Sequence, residues 1–571
     1  VLIEDMDGST MRIHLPQGTM VQLTPSHFVG QGGQGRVFAQ PPWAYKVYHD
    51  EMQAMSVDKM KELSEIGHRQ VLTPHDPITN DSGHLVGYSM PYVTSSVPLC
   101  RLYTRDYQAR HGLDTDDIVR LVRQIVGLMN HIHDAGILVV DLNGLNILVS
   151  GDHTTVYFID TDSYATPSFP PTALLDSVRD PLSGDDCFHE GSDWFSFAVV
   201  TFQLFTGVHP YRGQHPHLKT LKERMRAGVS VFDPQVIRPP SANQFEHIPH
   251  RLRAWYRDVF EKGHRQAPPE DFGYCEPVGA SCLADTDTLV FQVTGSFDEP
   301  IRACSEAYGR SVVVTDTWIY VDGHCRGRSP GGQIEIVFSP RRGVPLIISW
   351  TQAEGLRVWD TQSLSTRAFG LRAEGLIGAD GNAFILSDGR LLALDMLETP
   401  DGVHVGTRQV TTVHRLASDV YPGCVVQNLF ETRYFTCVSS RGAIHRRIPE
   451  LDGHRIIDAA YTDGALVILG LQDGCYDHFL IRFAGCGNHY RVVACTDIEP
   501  FEPQIIGLTS GIIVYQEGGH ELCLVHGDPS SNTRRRVALD QVSSFRLWAK
   551  AYGLGFIRGH DVGTVQLKPT G

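Results

Sequence analysis

No CxxC pair occurs among the 12 cysteines, and their scatter fits neither a zinc ribbon nor a dense disulfide framework. Reduced thiols in a cytoplasmic protein are therefore expected. No run of about 18 apolar residues is present, the length a membrane-spanning helix needs. The nearest candidate, Phe195 to Val208, is broken by Ser196, Thr201, Gln203 and Thr206. Positive charge is also short. Lys plus Arg number 49 against 65 Asp plus Glu, and the net charge of -16 repels nucleic acid and anionic membrane. The longest basic run, Arg534-Arg535-Arg536, reads as a solvated loop. The chain opens on Val1 with neither Met nor a charged-then-apolar leader, so nothing visible points to secretion.

What is present is enough apolar material, 42% of 571 residues, for more than one hydrophobic core. The two halves are punctuated differently. One Asp-Gly dipeptide, Asp7-Gly8, precedes residue 270, whereas seven follow it, beginning at 322, 380, 388, 401, 452, 463 and 473. Asp-Gly favours tight hairpin turns, so the second half reads as serial β-hairpins. Apolar strand-like clusters there, near Val313, Ile347, Ile385, Thr436, Val467, Ile513 and Phe556, recur about every 40 residues, the length of a four-stranded propeller blade. About seven blades are expected. Leu356-Arg357-Val358-Trp359-Asp360 resembles the end of a WD-type strand, but a single occurrence does not make a WD40 protein.

The first half has helical periodicity instead. Ile118, Leu121, Val122, Ile125, Leu128 and Ile132 recur at spacings of three and four, and a second helix is predicted over Asp193 to Phe205. Short β-rich segments lie between, which makes this half α+β. The paired prolines Pro268-Pro269 end a helical run from Arg251 to Glu261. The expected organisation is an N-terminal extension or first strand over 1–24, an α+β domain over 25–270, a linker over 271–285 and an all-β propeller-like domain over 286–571.

The chemistry concentrates in the first half. Gly30-Gln31-Gly32-Gly33-Gln34-Gly35-Arg36-Val37 contains GxGxxGxV, in which glycine lets backbone amides approach a triphosphate. A dinucleotide-binding reading needs a helix to start among these glycines, with Asp50 as its acidic residue. Pro41 and Pro42 exclude that helix and suit a hairpin. Trp43 to Tyr48 is then the returning strand, and it brings Lys46 under the glycine turn. Downstream, Asp141 and Asn146 lie five apart on a loop, and a hydrophobic hairpin leads to Asp160-Thr161-Asp162. Phosphoryl transfer needs a carboxylate to take or orient the acceptor proton and oxygen ligands to hold Mg²⁺ on the phosphates. Asp141 suits the first role, and Asn146 and Asp160 suit the second, with Asp162 as a further metal candidate.

On these residues, the region over 25–270 resembles the eukaryotic-type protein kinase fold. Asp141 to Asn146 matches the catalytic-loop DxxxxN, and Asp160 matches the first residue of DFG. His133-Asp134-Ala135-Gly136 is similar to the end of the kinase E helix, with His133 a packed structural residue. Ser192-Asp193-Trp194-Phe195-Ser196 and Thr206-Gly207-Val208-His209-Pro210-Tyr211 are similar to the stretch around helix F. The resemblance implies a nucleotide site built from Gly30, Gly32, Gly33, Gly35, Val37, Ala44 and Lys46, with Met90, Tyr92 and Val93 as hinge. It also implies a helix glutamate paired with Lys46, for which Glu62 is preferred over Glu65 and Glu51. ATP and Mg²⁺ are the implied cofactors.

The departures from the family pattern carry expectations too. Val139-Val140-Asp141 replaces HRD, so control through a phosphorylated activation loop is not expected. Asn143 stands where the family has a lysine. It is kept as a catalytic candidate with Asp141 and Lys46, and the lost charge implies a low rate. Asp180-Pro181-Leu182 occupies the place of APE, which implies that the ion pair to a late arginine, Arg265, is lost. His209, His215 and His217 read as a loop after helix F. The overall pattern most resembles divergent bacterial kinase-like proteins. An active Ser/Thr-type kinase whose propeller recruits a protein partner or substrate is the leading reading. A pseudokinase scaffold and a small-molecule phosphotransferase are the alternatives.

Overall fold

The computed structural model describes residues 11–567, except for 51–53, 105–106, 109–110, 173–176, 185–186, 238–244, 275–288, 401, 430–431, 440–441, 473–474, 485–486, 488, 499–502, 509, 518–520, 528, 532–533, 539–544 and 551–552. It opens with a twisted antiparallel sheet formed by β1 (Met11–His14), β2 (Met20–Leu23), β3 (Phe28–Gln31), β4 (Gly35–Gln40), β5 (Trp43–Tyr48), β6 (Pro77–Thr79) and β7 (Leu85–Pro91). Its order is β2-β1-β6-β7-β5-β4-β3, so the N-terminal residues add two strands at one edge. Pro41 and Pro42 form the turn between β4 and β5, where no ladder donor is needed. Helix α1 (Val57–Ser64) packs beside this sheet, with its N-terminus capped by the Ser56 side chain.

A mainly helical lobe follows. It carries a small sheet of β8 (Ser96–Pro98), β9 (Ile147–Ser150) and β10 (Val156–Phe158), together with helices α2 (Thr115–Asp134), α3 (Glu190–Thr206), α4 (Leu221–Ala227) and α5 (His250–Lys262). The face of α2 read from periodicity, Ile118 through Ile132, is buried. Helix α3 runs through the core. The hydroxyls that broke its apolar run donate to backbone carbonyls: Ser196 to Val178 (2.7 Å), Thr201 to Phe197 (2.7 Å) and Thr206 to Phe202 (2.8 Å). Each bond avoids the roughly 1–3 kcal/mol cost of an unpaired buried hydroxyl. No helix of the described residues is long and apolar enough to cross a membrane. The expected linker begins by packing on this lobe: Phe272 is buried and its carbonyl accepts from Arg251 N (3.1 Å). The rest of that linker, from 275, lies outside the described residues.

From β11 (Leu289–Ser296) onward the chain is β. Seven four-stranded antiparallel sheets are present among the described residues. Their first strands touch in ring order: Ile301–Ala307, Gln333–Phe338, Gly375–Ala379, Ser418–Tyr421, Arg455–Thr462, Ile505–Gly507 and Arg546–Lys550, the last returning to the first. The last sheet is completed by β11, which pairs antiparallel with Asp561–Leu567 and so ties the two ends of this region together. Asp322-Gly323, Asp380-Gly381, Asp388-Gly389 and Asp463-Gly464 have φ between 46° and 82° at both residues, the geometry of two-residue hairpin turns. Asp452 instead has φ -62° and follows a short 3-10 turn. Arg534-Arg535-Arg536 is not a loop. These residues open the strand Arg534–Ala538, and Arg534 and Arg536 both pair with the buried Glu517.

Both lobes touch the β region. Ala417 and Leu429 pack with Ile13, Phe28 and Phe38 of the first sheet, while Ile457, Leu469 and Tyr476 join the core of the helical lobe. Arg101 wedges between the rings of Tyr107 (5.5 Å) and Tyr421 (4.5 Å), near Asp419 (3.9 Å).

Candidate functional site

The glycine turn lies between β3 and β4. At Gly30, Gly32 and Gly33 no atom lies within 4 Å of where a Cβ would stand, so the turn borders open space. Gly35 has a different reason: a Cβ there would sit 2.5 Å from Val47 O, so the residue is needed for close strand packing. Lys46, opposite Val37 on β4 and Tyr88 on β7, is 6% exposed and points from β5 towards the same space.

The lysine ammonium meets both aspartates of the Asp160-Thr161-Asp162 segment. Lys46 Nζ donates to Asp160 Oδ1 at 2.5 Å and to the two oxygens of Asp162 at 2.9 and 2.8 Å. Asp162 also accepts from the Tyr48 hydroxyl (2.7 Å) and the Tyr88 hydroxyl (3.1 Å). Burial opposes the charge on Asp162, yet Lys46 and the two hydroxyls hold its carboxyl below the ordinary aspartate range. Burial likewise opposes the charge on Lys46, but Asp162 and Asp160 hold its pKa above the usual lysine value. Asp160 ends up raised, because burial and the charge of Asp162 outweigh its single contact with Lys46. Its side chain remains 37% exposed.

The loop carrying Asp141 is fixed from below by α3. Asp193, 0% exposed, accepts from Val139 N (2.8 Å), Val140 N (2.9 Å) and His133 Nε2 (2.9 Å). These bonds hold Val140 at φ 62°, an unfavourable region for a β-branched residue. Asn146 Nδ2 donates to Asp141 O (3.1 Å) and Oδ2 (3.0 Å), while Asn146 O accepts from Ile159 N (2.9 Å). Asn146 thereby ties the Asp141 loop to the backbone of Ile159, the residue before Asp160.

Four expectations are corrected. Glu62 does not meet Lys46. Its carboxylate accepts from Ser168 N (3.2 Å), because α1 spans only Val57–Ser64 and turns that face towards the segment after Asp162. Asn143 does not reach the cleft. It is buried, its Oδ1 accepts from Leu145 N (2.9 Å) and Asn146 N (3.2 Å), and its Nδ2 donates to Asp141 O (3.3 Å), so it braces the loop. The ion pair at Arg265 is not lost. Asp180 supplies the carboxylate, with two bonds of 2.7 Å. Asp162, expected as a metal candidate, is turned to Lys46, with 3% of its surface exposed.

Gly30, Gly32, Gly33, Val37, Ala44, Lys46, Met90, Tyr92, Val93, Asn146 and Asp160 all border one cavity of about 2680 Å³. Apolar Val37, Ala44, Leu148 and Ile159 line it as well. A carboxylate, an amide oxygen, an ammonium and a glycine turn with open space suit a metal-bound polyphosphate. The amide of Asn146 is oriented for it, because Nδ2 is committed to Asp141 and Oδ1 is left as the acceptor. Sequence reasoning missed Tyr48, Tyr88 and the role of Asp193. Tyr48, two residues after Lys46, shares its face of β5, but the pairing of Lys46 with Tyr88 depends on strand register that no local pattern displays.

These features define a kinase-like domain in the first half of the chain. Two curated relatives support that coarse statement. Kinase suppressor of Ras A from Caenorhabditis elegans is 27% identical over 216 residues, covering 33% of this chain and 28% of that protein. A probable serine/threonine protein kinase of Arabidopsis thaliana, IREH1, is 22% identical over 199 residues, covering 28% of this chain and 14% of that protein. The chain thus spans less than a third of the length of either relative. No protein-family model matches. A solved rhoptry kinase from Toxoplasma gondii aligns over 47% of this chain and 79% of its own at 12% identity, with a TM-score of 0.33, too loose a superposition to establish a fold.

Proposed function

We propose that the chain is an ATP- and Mg²⁺-dependent protein kinase of Ser/Thr type, acting in the cytoplasm, whose ring of seven sheets is a seven-bladed propeller that recruits a protein partner or substrate. The observation that carries the catalytic part is the convergence of Lys46, Asp160 and Asn146 on one cleft beneath an open glycine turn, with Asp141 bonded to Asn146. In this reading the adenine lies against Val37, Ala44 and Met90, and Lys46 meets the phosphates. Asn146 Oδ1 and Asp160 would hold the nucleotide's Mg²⁺, which supplies neutralisation of the phosphate charge. Asp141 orients the acceptor hydroxyl and takes its proton. The recruiting role rests on position: Arg302, Gln333, Glu335 and Arg415 of the ring border the same cavity as the hinge.

One observation favours a second reading, a nucleotide-binding scaffold with little phosphotransfer. Asn143, standing where the family has a lysine, is consumed in bracing the loop and brings no positive charge to the transferring phosphate. Incubation of the full chain with labelled ATP and Mg²⁺ separates the two. The kinase reading expects label on wild type and loss of at least about tenfold in Lys46→Ala and Asp141→Asn. Wild type that binds ATP but incorporates no label supports the scaffold. Equal labelling of all three proteins would refute the catalytic assignment.

A further inference from the structure

Two carboxylates compete for one ammonium in this cleft, and their surroundings differ. Asp162 is buried, touches Lys46 with both oxygens and is fixed by the Tyr48 and Tyr88 hydroxyls. Asp160 touches Lys46 with one oxygen and keeps a side chain 37% exposed to the cleft. Helix α1 offers no carboxylate to the lysine. Glu62 faces Ser168, and the nearby α1 cation, Lys59, donates to the backbone oxygens of Asp162 (2.8 Å) and Pro170 (3.4 Å).

We infer that Asp162 is the positioning residue for Lys46, replacing the helix carboxylate that kinase-like sites ordinarily use, and so leaves Asp160 free for the cation role already proposed for it. This inference rests on the nucleotide-site reading above. The division of labour follows from geometry. A carboxylate whose oxygens accept four hydrogen bonds from three donors has little acceptor capacity left for the cleft, whereas one with a single donor and an open side keeps it. The placement also has a consequence for control. The ordinary arrangement joins a strand lysine to a mobile helix, so rotation of the helix can break the pair. Here the lysine, both tyrosines and the aspartate belong to β5, β7 and the short turn after β10. The pair is therefore complete without any glutamate from α1.

The test measures affinity of the full chain for a fluorescent ATP analogue in EDTA and in excess Mg²⁺. Asp162→Asn introduces an amide donor among donors. It is expected to weaken binding about tenfold or more in both buffers, because Lys46 loses its position whether or not metal is present. Asp160→Asn is expected to abolish the gain that Mg²⁺ gives, with affinity in EDTA kept within about threefold. Glu62→Gln is expected to change neither value by more than about twofold. Because Asp162→Asn touches a buried network, Tyr88→Phe serves as a milder second variant, expected to weaken binding severalfold equally in both buffers. Weakening confined to the Mg²⁺ buffer, in either Asp162→Asn or Tyr88→Phe, would make Asp162 a metal ligand and overturn the inference. So would Glu62→Gln weakening binding as much as Asp162→Asn. If wild type binds while both the Asp162 and Tyr88 variants are unchanged, the inference alone fails. If wild type binds the analogue in neither buffer, the nucleotide-site reading fails and takes the inference with it.

Discussion

Replacement of Asp193 by asparagine tests how the loop carrying Asp141 is held. The native carboxylate is fully buried and accepts three hydrogen bonds, two from consecutive backbone N–H groups and one from His133. An asparagine fits the same volume but has one acceptor oxygen, and its amide hydrogens must face one of the three donors. Charged hydrogen bonds contribute about 1.5–3 kcal/mol each, and a buried donor left unpaired costs about 1–3 kcal/mol. Losing at least one such bond and stranding one donor gives an expected destabilisation of about 3–5 kcal/mol. A second effect is local. Val140 at φ 62° is in a conformation that costs about 1–3 kcal/mol and persists only while its N–H is held. Once released, the loop relaxes and Asp141 loses its position, so labelling by ATP should fall more steeply than the folded fraction. Urea titration followed by tryptophan fluorescence is the assay, since Trp194 stacks edge-on with His133 at 5.5 Å and reports this corner directly. A midpoint shift worth less than about 1 kcal/mol, with labelling unchanged, would refute the account.

Two further outcomes are expected. His209 is buried with its Nε2 donating to Ser177 O (2.9 Å), and burial pushes its pKa from 6.5 down to about 4. Because the folded pKa lies below the unfolded one, its contribution is fully present above pH 6.5 and is lost as pH falls from 6.5 towards 4. That is roughly 3 kcal/mol in all. Urea midpoints at pH 7.5 and pH 5 should therefore converge in His209→Gln, and equal pH dependence in variant and wild type would contradict this. Arg265 grips Asp180 through two bonds of 2.7 Å, with side chains 13% and 2% exposed. Arg265→Ala strands a buried carboxylate and is expected to cost about 3–5 kcal/mol in the same titration. Arg265→Lys should recover less than half of that, since an ammonium cannot reproduce the two parallel bonds; full recovery by lysine would show that charge alone matters.

The legible parts of the molecule were those whose physics acts over a few residues. The Pro41-Pro42 turn delivered Lys46 on β5 as the hairpin reading required. The three-and-four spacing of α2 marked its buried face, and hairpin turns stand at Asp-Gly pairs such as Asp322-Gly323, where both residues take positive φ. The misreadings share the opposite character. Arg534-Arg535-Arg536 looked like a solvated loop until Glu517, from another strand of the same sheet, gave two of its arginines a partner. Asp180 was passed over as a poor APE because its value depends on Arg265, 85 residues away.

By itself the amino-acid order determined which chemical groups are available and which local geometry each can adopt: glycines at the turn, a lysine on the next strand, Asp141 and Asn146 on one loop, two acids at 160 and 162. Only the tertiary structure decided who pairs with whom. The sequence offered several acids as partners for Lys46, and the choice of Asp162 over Glu62 was made by the register that sets Tyr88 opposite Lys46 and by an α1 that turns Glu62 towards Ser168. Burial is the physical reason. A charge removed from water must take the partners that packing puts beside it, and packing is a property of the whole fold.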